Sequence, residues 1–246
     1  MFSFGSGVLI GTRTDIANAT PINFGLVQEV HIDESASIKE LFGQFQHPVA
    51  IARGTIKTTG KAKVARISGL AFASLFYGVV PVAGQTATAF GEAGVVPTTP
   101  YQVTVANAGT FVADLGPINA ATGLPLIKVA AGPTTGQYSV NPTTGVYTFA
   151  AADAGLALLM NYTYTIAGTG QKFTVTNQLL GTTPTFSATF YTTFAAKPVS
   201  VNIANATSSK LTFGTKLEDF VLPEFDFSCF ADAAGNLMTW SFGEVS

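Results

Sequence analysis

The stretch HPVAIARGTIKTTGKAKVAR, residues 47–66, has the alternation of a half-buried β-strand. In its second half Lys57, Lys61 and Lys63 fall on one parity, whereas Ala62 and Val64 fall on the other. Because successive side chains of a strand point to opposite faces, this pattern predicts one wetted face and one packed face. The stretch holds five of the twelve basic residues of the chain, namely Arg53, Lys57, Lys61, Lys63 and Arg66.

The clustered basic residues could serve a nucleic-acid site, a catalytic site or the wetted face of a structural strand. The formal net charge of −2 disfavours a dedicated DNA-binding protein, and no aromatic residue lies within the stretch to stack on bases. Lysines on one parity of a strand also discourage wrong edge pairing. We therefore assign the five basic residues to inter-subunit or rim contacts. Gly60 within the strand predicts a β-bulge.

The composition is unusually poor in charge for 246 residues, with 11 % charged and 47 % hydrophobic residues. Ordinary soluble domains carry about 25 % charged residues, so we expect the protein to bury much of its surface against other chains. The single cysteine, Cys229, excludes an internal disulfide framework. The N-terminus lacks a signal-peptide pattern and the longest apolar run contains Pro81, which predicts cytoplasmic synthesis without membrane insertion.

Short strand patterns separated by Gly, Pro, Asn and Thr turns run along most of the chain, which predicts an all-β fold with one or two short helices. We expect one domain from residues 1–95 and 169–246, interrupted at 96–168 by an immunoglobulin-like β-sandwich. A helix is predicted in SGLAFASLFYG, with Ser68 as its N-cap. The stretch EFDFSCFADAAGNLMTWSF, residues 224–242, predicts a β-hairpin.

No catalytic, cofactor-binding or metal-binding pattern stands out. The only histidines, His31 and His47, lack further ligands at a recognisable spacing, and Cys229 lies in an alternating strand with no paired base in its motif. The C-terminal acids, Glu218 to Asp232, lack the dense oxygen ligands of a calcium loop. The sequence therefore predicts a protein that is not an enzyme and that needs no cofactor.

The residues resemble those of the tail tube, or major tail, proteins of tailed bacteriophages. The resemblance is carried by FGSGVLIGTRTDIANATPINFGLVQEVHID, by SIKELFGQFQHPVAIARGTIKTTGKAKVARISGLAFASLFYG and by KLEDFVLPEFDFSCFADAAGNLMTWSF. The segment GQYSVNPTTGVYTFAAADAGLALLMNYTY is similar to the β-domain that some of these proteins carry as an insertion. Together these segments cover most of the chain.

The resemblance implies two packed antiparallel sheets flanked by a helix, with subunits in six-membered rings whose inner strands form one barrel. The rings would stack into a hollow tube in the virion tail, assembled in the host cytoplasm around a tape-measure protein. Tail terminator and tail-tip or baseplate proteins would be further partners, and DNA would pass through during genome ejection without specific binding. The insertion would lie outside.

A channel that DNA crosses should repel phosphate, so we expect Asp33, Glu34 and Asp226 to face the lumen. The lysines of residues 57–63 would then point away from the channel or pair with acids of the next subunit. Two alternatives stay open: another phage structural component, such as a capsid or baseplate protein, and a glycan-binding module. The latter would need an aromatic platform, for which the candidates are Tyr101, Tyr138, Tyr147, Tyr162 and Tyr164.

Overall fold

The computed structural model describes residues 7–66, 68–194 and 197–243. The predicted all-β class is confirmed, since 55 % of the residues lie in strands and 6 % in helices. Contacts divide the chain into two compact units. The first, here the sheet unit, comprises Met1–Pro81 and Phe173–Ser246, and the second, the inserted unit, is Val82–Lys172.

The sheet unit is built on one large antiparallel sheet in the order β2-β1-β13-β14-β15-β4-β3, with β16 also paired to β14. Strands are numbered along the whole chain. Those of this unit are β1 (Val8–Arg13), β2 (Ile22–Asn23), β3 (Val27–Phe42), β4 (Pro48–Val64), β13 (Thr185–Phe194), β14 (Lys197–Thr212), β15 (Glu224–Phe230) and β16 (Met238–Phe242).

The predicted C-terminal hairpin is wrong, because β15 and β16 do not pair with each other. Both lie antiparallel to β14, with Asn205 opposite Phe230 and Ile203 opposite Met238, so they follow one another along the same edge. The Asp232 carboxylate accepts hydrogen bonds from the backbone N–H groups of Ala234 and Asn236. This Asp-led turn closes a short excursion and returns the chain to the line of the sheet.

One short helix covers the apolar face of the sheet. Helix α1 (Gly69–Ala71) continues as a π-helical turn over Phe72–Phe76, and the Ser68 hydroxyl caps it by accepting from the Ala71 N–H at 3.3 Å. The segment ends at Gly78, whose φ of +68° suits glycine. The predicted cap and stop are confirmed.

The core of the sheet unit is rich in phenylalanine. Phe24, Phe186, Phe225 and Phe227 are at most 1 % exposed and contact one another through their rings. The predicted bulge at Gly60 is wrong, because pairing continues in register to both neighbouring strands. A Cβ at Gly60 would overlap the Phe227 ring, so this glycine makes room for an aromatic side chain.

Beyond the core, β3 and β4 continue together as a long hairpin, here called the arm, residues 33–57. Within the arm they stay paired from Ser35 with Lys57 to Phe42 with Pro48. Almost every side chain of the arm is exposed. The arm is therefore held by backbone pairing and has no hydrophobic core of its own.

The inserted unit is a sandwich of two four-stranded sheets, one in the order β6-β11-β10-β9 and one in which β12 pairs with β5, β7 and β8. All pairs are antiparallel except β9 with β10. Its strands are β5 (Val82–Val95), β6 (Gln102–Thr104), β7 (Phe111–Asp114), β8 (Ile118–Asn119), β9 (Ile127–Lys128), β10 (Gln137–Asn141), β11 (Val146–Phe149) and β12 (Ala157–Lys172). Short 3₁₀ turns span Ala108–Thr110 and Ala151–Asp153.

This unit extends beyond the segment 96–168 that the sequence predicted as an insertion. Strand β5 pairs with β12 from Val82 opposite Lys172 to Val95 opposite Ala157. The two strands that lead into and out of the unit are thus partners, and its two ends lie side by side. Charged residues fall from twelve in residues 1–81 to five in residues 82–172, so the charge content marked this boundary better than the pattern of strands and turns did.

Candidate assembly surfaces

The outward side of the large sheet carries a set of charged residues here called the polar face. Cross-strand partners share a face of a sheet, and His31 lies opposite Lys61, which lies opposite Asp226, which lies opposite Lys210. The polar face comprises Glu29, His31, Asp33, Lys57, Lys61, Lys63, Lys210, Glu224 and Asp226.

Three lysines of the polar face, Lys61, Lys63 and Lys210, contact acids of the same chain. Lys63 Nζ lies 2.5 Å from Glu29 Oε2, and Lys61 Nζ lies 2.9 Å from Glu224 Oε1. Lys210 Nζ reaches the other oxygen of Glu224 at 3.4 Å. The Lys61–Glu224 pair joins β4 to β15, which are distant in sequence, whereas the other two pairs join consecutive strands.

These contacts shift the titration of the acids. Hydrogen bonds from Lys63 and then His31 lower the pKa of Glu29 to about 2. A hydrogen bond from Lys61 lowers the pKa of Glu224, and the same bond raises the pKa of Lys61. Both acids are thus ionised at neutral pH, and the face holds charges of both signs.

The basic residues and acids predicted from the sequence separate into two groups. Lys57, Lys61 and Lys63 lie on the polar face together with Asp33 and Asp226. If Asp33 and Asp226 face a channel, these three lysines face it too. The expectation that the acids face the channel while the lysines point away from it is therefore wrong. Lys61 and Lys63 pair within the chain, which leaves their predicted role between subunits a prediction.

The remaining predicted residues lie elsewhere. Glu34 is opposite Thr58 on the other side of the sheet, and Arg53 is opposite Ile38 on the arm. Arg66 follows the end of β4 and lies beside a small polar pocket with Asn23. Rim or inter-subunit contacts of Arg53 and Arg66, and a lumenal position of Glu34, stay predictions.

The sequence pattern missed Glu29, His31, Lys210 and Glu224 as members of the polar face. A register shift lies between Val27 and Glu29 in their pairing with β4, so Val27 and Val30 both face the core despite their odd spacing. Such a bulge reverses the apparent parity of the strand. Glu224 and Lys210 could be assigned only from pairing between strands far apart in sequence.

One side of the arm, here called its apolar side, continues the core side of β3 and β4 and carries Ile38, Phe42 and Ile51. Two charged residues also lie on this side, Arg53 opposite Ile38 and Glu40 opposite Ile51. The exposed fractions are 55 % for Ile38, 54 % for Phe42 and 62 % for Ile51. Within the described ranges, no other element covers this apolar side.

An open groove of about 370 Å³ lies on the core side of the large sheet, between the start of β3 and strands β13, β14 and β16. Its lining is almost wholly apolar and consists of Val30, Ile32, Phe190, Thr192, Val199, Val201, Trp240 and Phe242. Trp240 and Phe242 stack with ring centroids 6.0 Å apart, yet Trp240 is 47 % exposed and Phe242 59 %. The groove thus presents an aromatic wall to the solvent.

Two loops of the sheet unit expose further large apolar side chains. The loop after β14 presents Phe213, Leu217 and Phe220, and the loop before β13 presents Leu179 and Leu180. Scattered exposed apolar residues are normal, but clusters of them mark surfaces that other molecules cover. The sheet unit therefore has apolar surface on several separate segments.

The aromatic platform expected of a glycan-binding insertion is not formed by the five candidate tyrosines. Tyr138, Tyr147 and Tyr162 are at most 3 % exposed, and Tyr101 and Tyr164 pack partly buried against the same core. Tyr138 and Tyr147 donate to the Asp114 carboxylate at 2.8 and 2.9 Å, which fixes them inside the sandwich. These tyrosines build the core of the inserted unit.

The reactive side chains considered in the sequence have ordinary surroundings. His31 contacts Glu29, and burial raises the pKa of the Cys229 thiol to about 11, so the thiolate is scarce at neutral pH. No group of three or more His, Cys, Asp or Glu residues within the described ranges could hold a metal ion. Nor does that part of the chain contain a helix long and apolar enough to cross a bilayer.

The chain was compared with protein-family models and with curated proteins, and neither comparison gave a match.

Proposed function

We propose that this chain is a structural virion protein that polymerises as stacked rings into a hollow tail tube. The observation that carries the proposal is the arm, which extends beyond the core with an uncovered apolar side. An isolated two-stranded hairpin is marginally stable in water, so a long one with exposed isoleucines and phenylalanine is suited to burial against another chain. A second copy of this chain would supply such a surface.

The distribution of apolar surface supports an open assembly. A closed dimer needs one self-complementary patch, whereas a subunit of stacked rings needs several different patches to meet lateral and axial neighbours. The arm, the groove with Trp240, and the loops that carry Phe220 and Leu180 are separate segments of the sheet unit. Their number favours heterologous contacts, which build rings and filaments.

The edges of the large sheet support ring closure. Strand β3, Val27–Phe42, is one end of the sheet order, and at the other end the two-residue β2 pairs only with Ile10 and Gly11 of β1. Unpaired strand edges are templates for pairing with another chain, and closing the strands into a barrel removes them. Pairing between the two edges of neighbouring copies would place the polar face on the side of the barrel opposite the helix.

By the resemblance, rings of six subunits would surround a tape-measure protein, and terminator and tail-tip or baseplate proteins would bind the tube ends. DNA would later pass through the lumen in genome ejection. On this assignment the polar face lines the channel. The lysines predicted to avoid the channel wall would then be part of it, together with Asp33 and Asp226.

Negative-stain electron microscopy of the purified chain tests the proposal with two matched variants. Ile38→Asp with Ile51→Asp places two charges on the apolar side of the arm, and Ala50→Asp with Ala52→Asp places two charges on its other side. We expect hollow tubes from the wild type and from the alanine-site variant, but none from the isoleucine-site variant. Tubes from all three proteins would contradict a role for the apolar side.

The alternatives give different images. A capsid-like component would form closed shells, and a binding module would stay monomeric at every concentration. Circular dichroism of each variant shows whether the sheet is intact, so a failure to assemble is not confused with a failure to fold.

A further inference from the structure

We propose that the polar face is a charge-neutral wall over which a polyanion such as double-stranded DNA can pass without adhering. The inference deepens the proposed function and rests on it, because it assumes that this face borders the channel. It differs from the acidic wall that the sequence predicts, since cations and acids are interleaved on the same strands.

Formal charges on the polar face balance at neutral pH if His31 is neutral. Lys57, Lys61, Lys63 and Lys210 contribute four positive charges, and Glu29, Asp33, Glu224 and Asp226 contribute four negative charges. The rest of the outward side of β13 and β14 is uncharged, with residues such as Thr189, Asn202 and Ser200. The nine residues of the polar face therefore carry no net formal charge, and Lys39, farther along the same side of the arm, adds one positive charge.

The ion pairs also place several of the opposite charges next to each other. Lys61 and Lys210 share the two oxygens of Glu224, and Lys63 contacts Glu29. A cation held 2.5–3.4 Å from a carboxylate presents a dipole, whose field decays faster than that of a free charge. At physiological salt, screening over about 8 Å weakens what remains.

A wall without net charge suits the passage of DNA better than a strongly basic or a strongly acidic wall. Each free lysine that neutralises a phosphate releases counterions, and log K then falls with log salt with a slope of about −0.9 per contact. A basic wall would therefore hold the DNA. A strongly acidic wall would oppose the entry of a polyanion into a narrow space, whereas interleaved pairs avoid both effects.

The test removes the acids and leaves the lysines. The wall variant carries Glu29→Gln, Asp33→Asn, Glu224→Gln and Asp226→Asn. The matched control carries Glu34→Gln, Glu40→Gln, Glu218→Gln and Asp219→Asn, which raise the net charge equally at residues outside the polar face. Binding of a short fluorescein-labelled DNA duplex to the unassembled proteins is followed by fluorescence anisotropy at several salt concentrations.

We expect no binding by the wild type, salt-sensitive binding by the wall variant, and binding by the control at least tenfold weaker than that of the wall variant. The slope of log K against log salt for the wall variant should be no steeper than about −3.6, the value for four freed lysines at about −0.9 each. If the wall variant is unfolded by circular dichroism, the milder pair Glu29→Gln and Glu224→Gln is expected to give the same order of affinities.

Three results would overturn the inference: wild-type binding as tight as that of the wall variant, equal binding by wall variant and control, or a folded wall variant that gains no affinity. None of these measurements requires a tube. An absence of tubes by electron microscopy would instead contradict the proposed function, and it would leave the DNA-binding results unchanged.

Discussion

The two units of the chain solve the packing of aromatic side chains in different ways. The sheet unit buries phenylalanines such as Phe186 and Phe225. The inserted unit buries tyrosines and ties Tyr138 and Tyr147 to one carboxylate, that of Asp114. A phenylalanine core makes no demand on hydrogen bonding, whereas a buried tyrosine needs a partner for its hydroxyl.

The two units also differ in where their polar residues lie. The inserted unit satisfies its charges internally, as also at Glu92, which accepts from the Tyr162 hydroxyl. The sheet unit places its charges in surface ion pairs on the polar face and leaves apolar side chains exposed on the arm. The inserted unit also exposes apolar side chains, such as Phe90 at 83 % and Leu124 at 65 %, so the two units differ in how they place polar groups and not in whether they expose apolar ones.

The largest effect is expected when the Asp114 carboxylate is removed. Asp114→Ala deletes the acceptor of hydrogen bonds from Tyr138, Tyr147 and the Gly116 N–H, and of the Lys128 ion pair. Each orphaned buried donor costs about 1–3 kcal/mol, so we expect a loss of about 3 kcal/mol or more. Chemical unfolding followed by tyrosine near-ultraviolet circular dichroism measures it.

The only tryptophan, Trp240, lies in the sheet unit and reports that unit alone by fluorescence. Its transition should be unchanged in Asp114→Ala. Asp33→Ala, at an exposed site, serves as the control. Equal loss in both transitions would show that the two cores are not independent and would break the comparison.

A smaller effect is expected for Gly60→Ala in the sheet unit. The new Cβ would overlap the Phe227 ring, and overpacking of a core costs about 1–3 kcal/mol. The Trp240 fluorescence transition should shift to lower denaturant while the tyrosine signal of the inserted unit stays. Gly69→Ala has no heavy atom within 4 Å of its Cβ and should leave both signals in place.

Acid should weaken the inserted unit more than the sheet unit. Burial raises the pKa of Asp114, but hydrogen bonds from Lys128, Gly116 and the two tyrosines outweigh it, and the net pKa is lowered. Stability from such a group is complete above the usual pKa of about 3.9 and is lost as the pH falls through the lower folded value. Urea midpoints across the acid range should fall in the wild type and stay nearly flat in Asp114→Asn.

At alkaline pH the stability of the inserted unit should fall as the pH rises. Burial, and then the hydrogen bond to Asp114, raises the pKa of Tyr138 and of Tyr147. Stability from these tyrosines is present below their usual pKa of about 10 and is lost above it. An inserted unit whose midpoint is independent of pH on both sides would contradict the assigned network.

The smallest effect is expected at the exposed ion pairs. Glu224→Gln removes the partner of Lys61 and Lys210, yet surface pairs contribute little to stability because water and salt screen them. The Trp240 transition should not move measurably. A clear destabilisation would mean that the polar face stabilises the fold and would blur its contrast with the buried Asp114 network.

The sequence was sufficient where the signal was local. Alternation gave the strand around Lys61, and Ser68 with Gly78 marked the helix. It failed where pairing joined distant segments. The alignment of β15 and β16 along β14, the contact of Lys61 with Glu224, and the Asp114 network all depend on residues far apart in the chain.

A concentration series by negative-stain electron microscopy tests the central claim most directly. Self-assembly through the arm and the other apolar surfaces predicts hollow, open-ended tubes whose length and number grow with protein concentration. Compact monomers at every concentration, with the apolar arm still exposed to solvent, would contradict it.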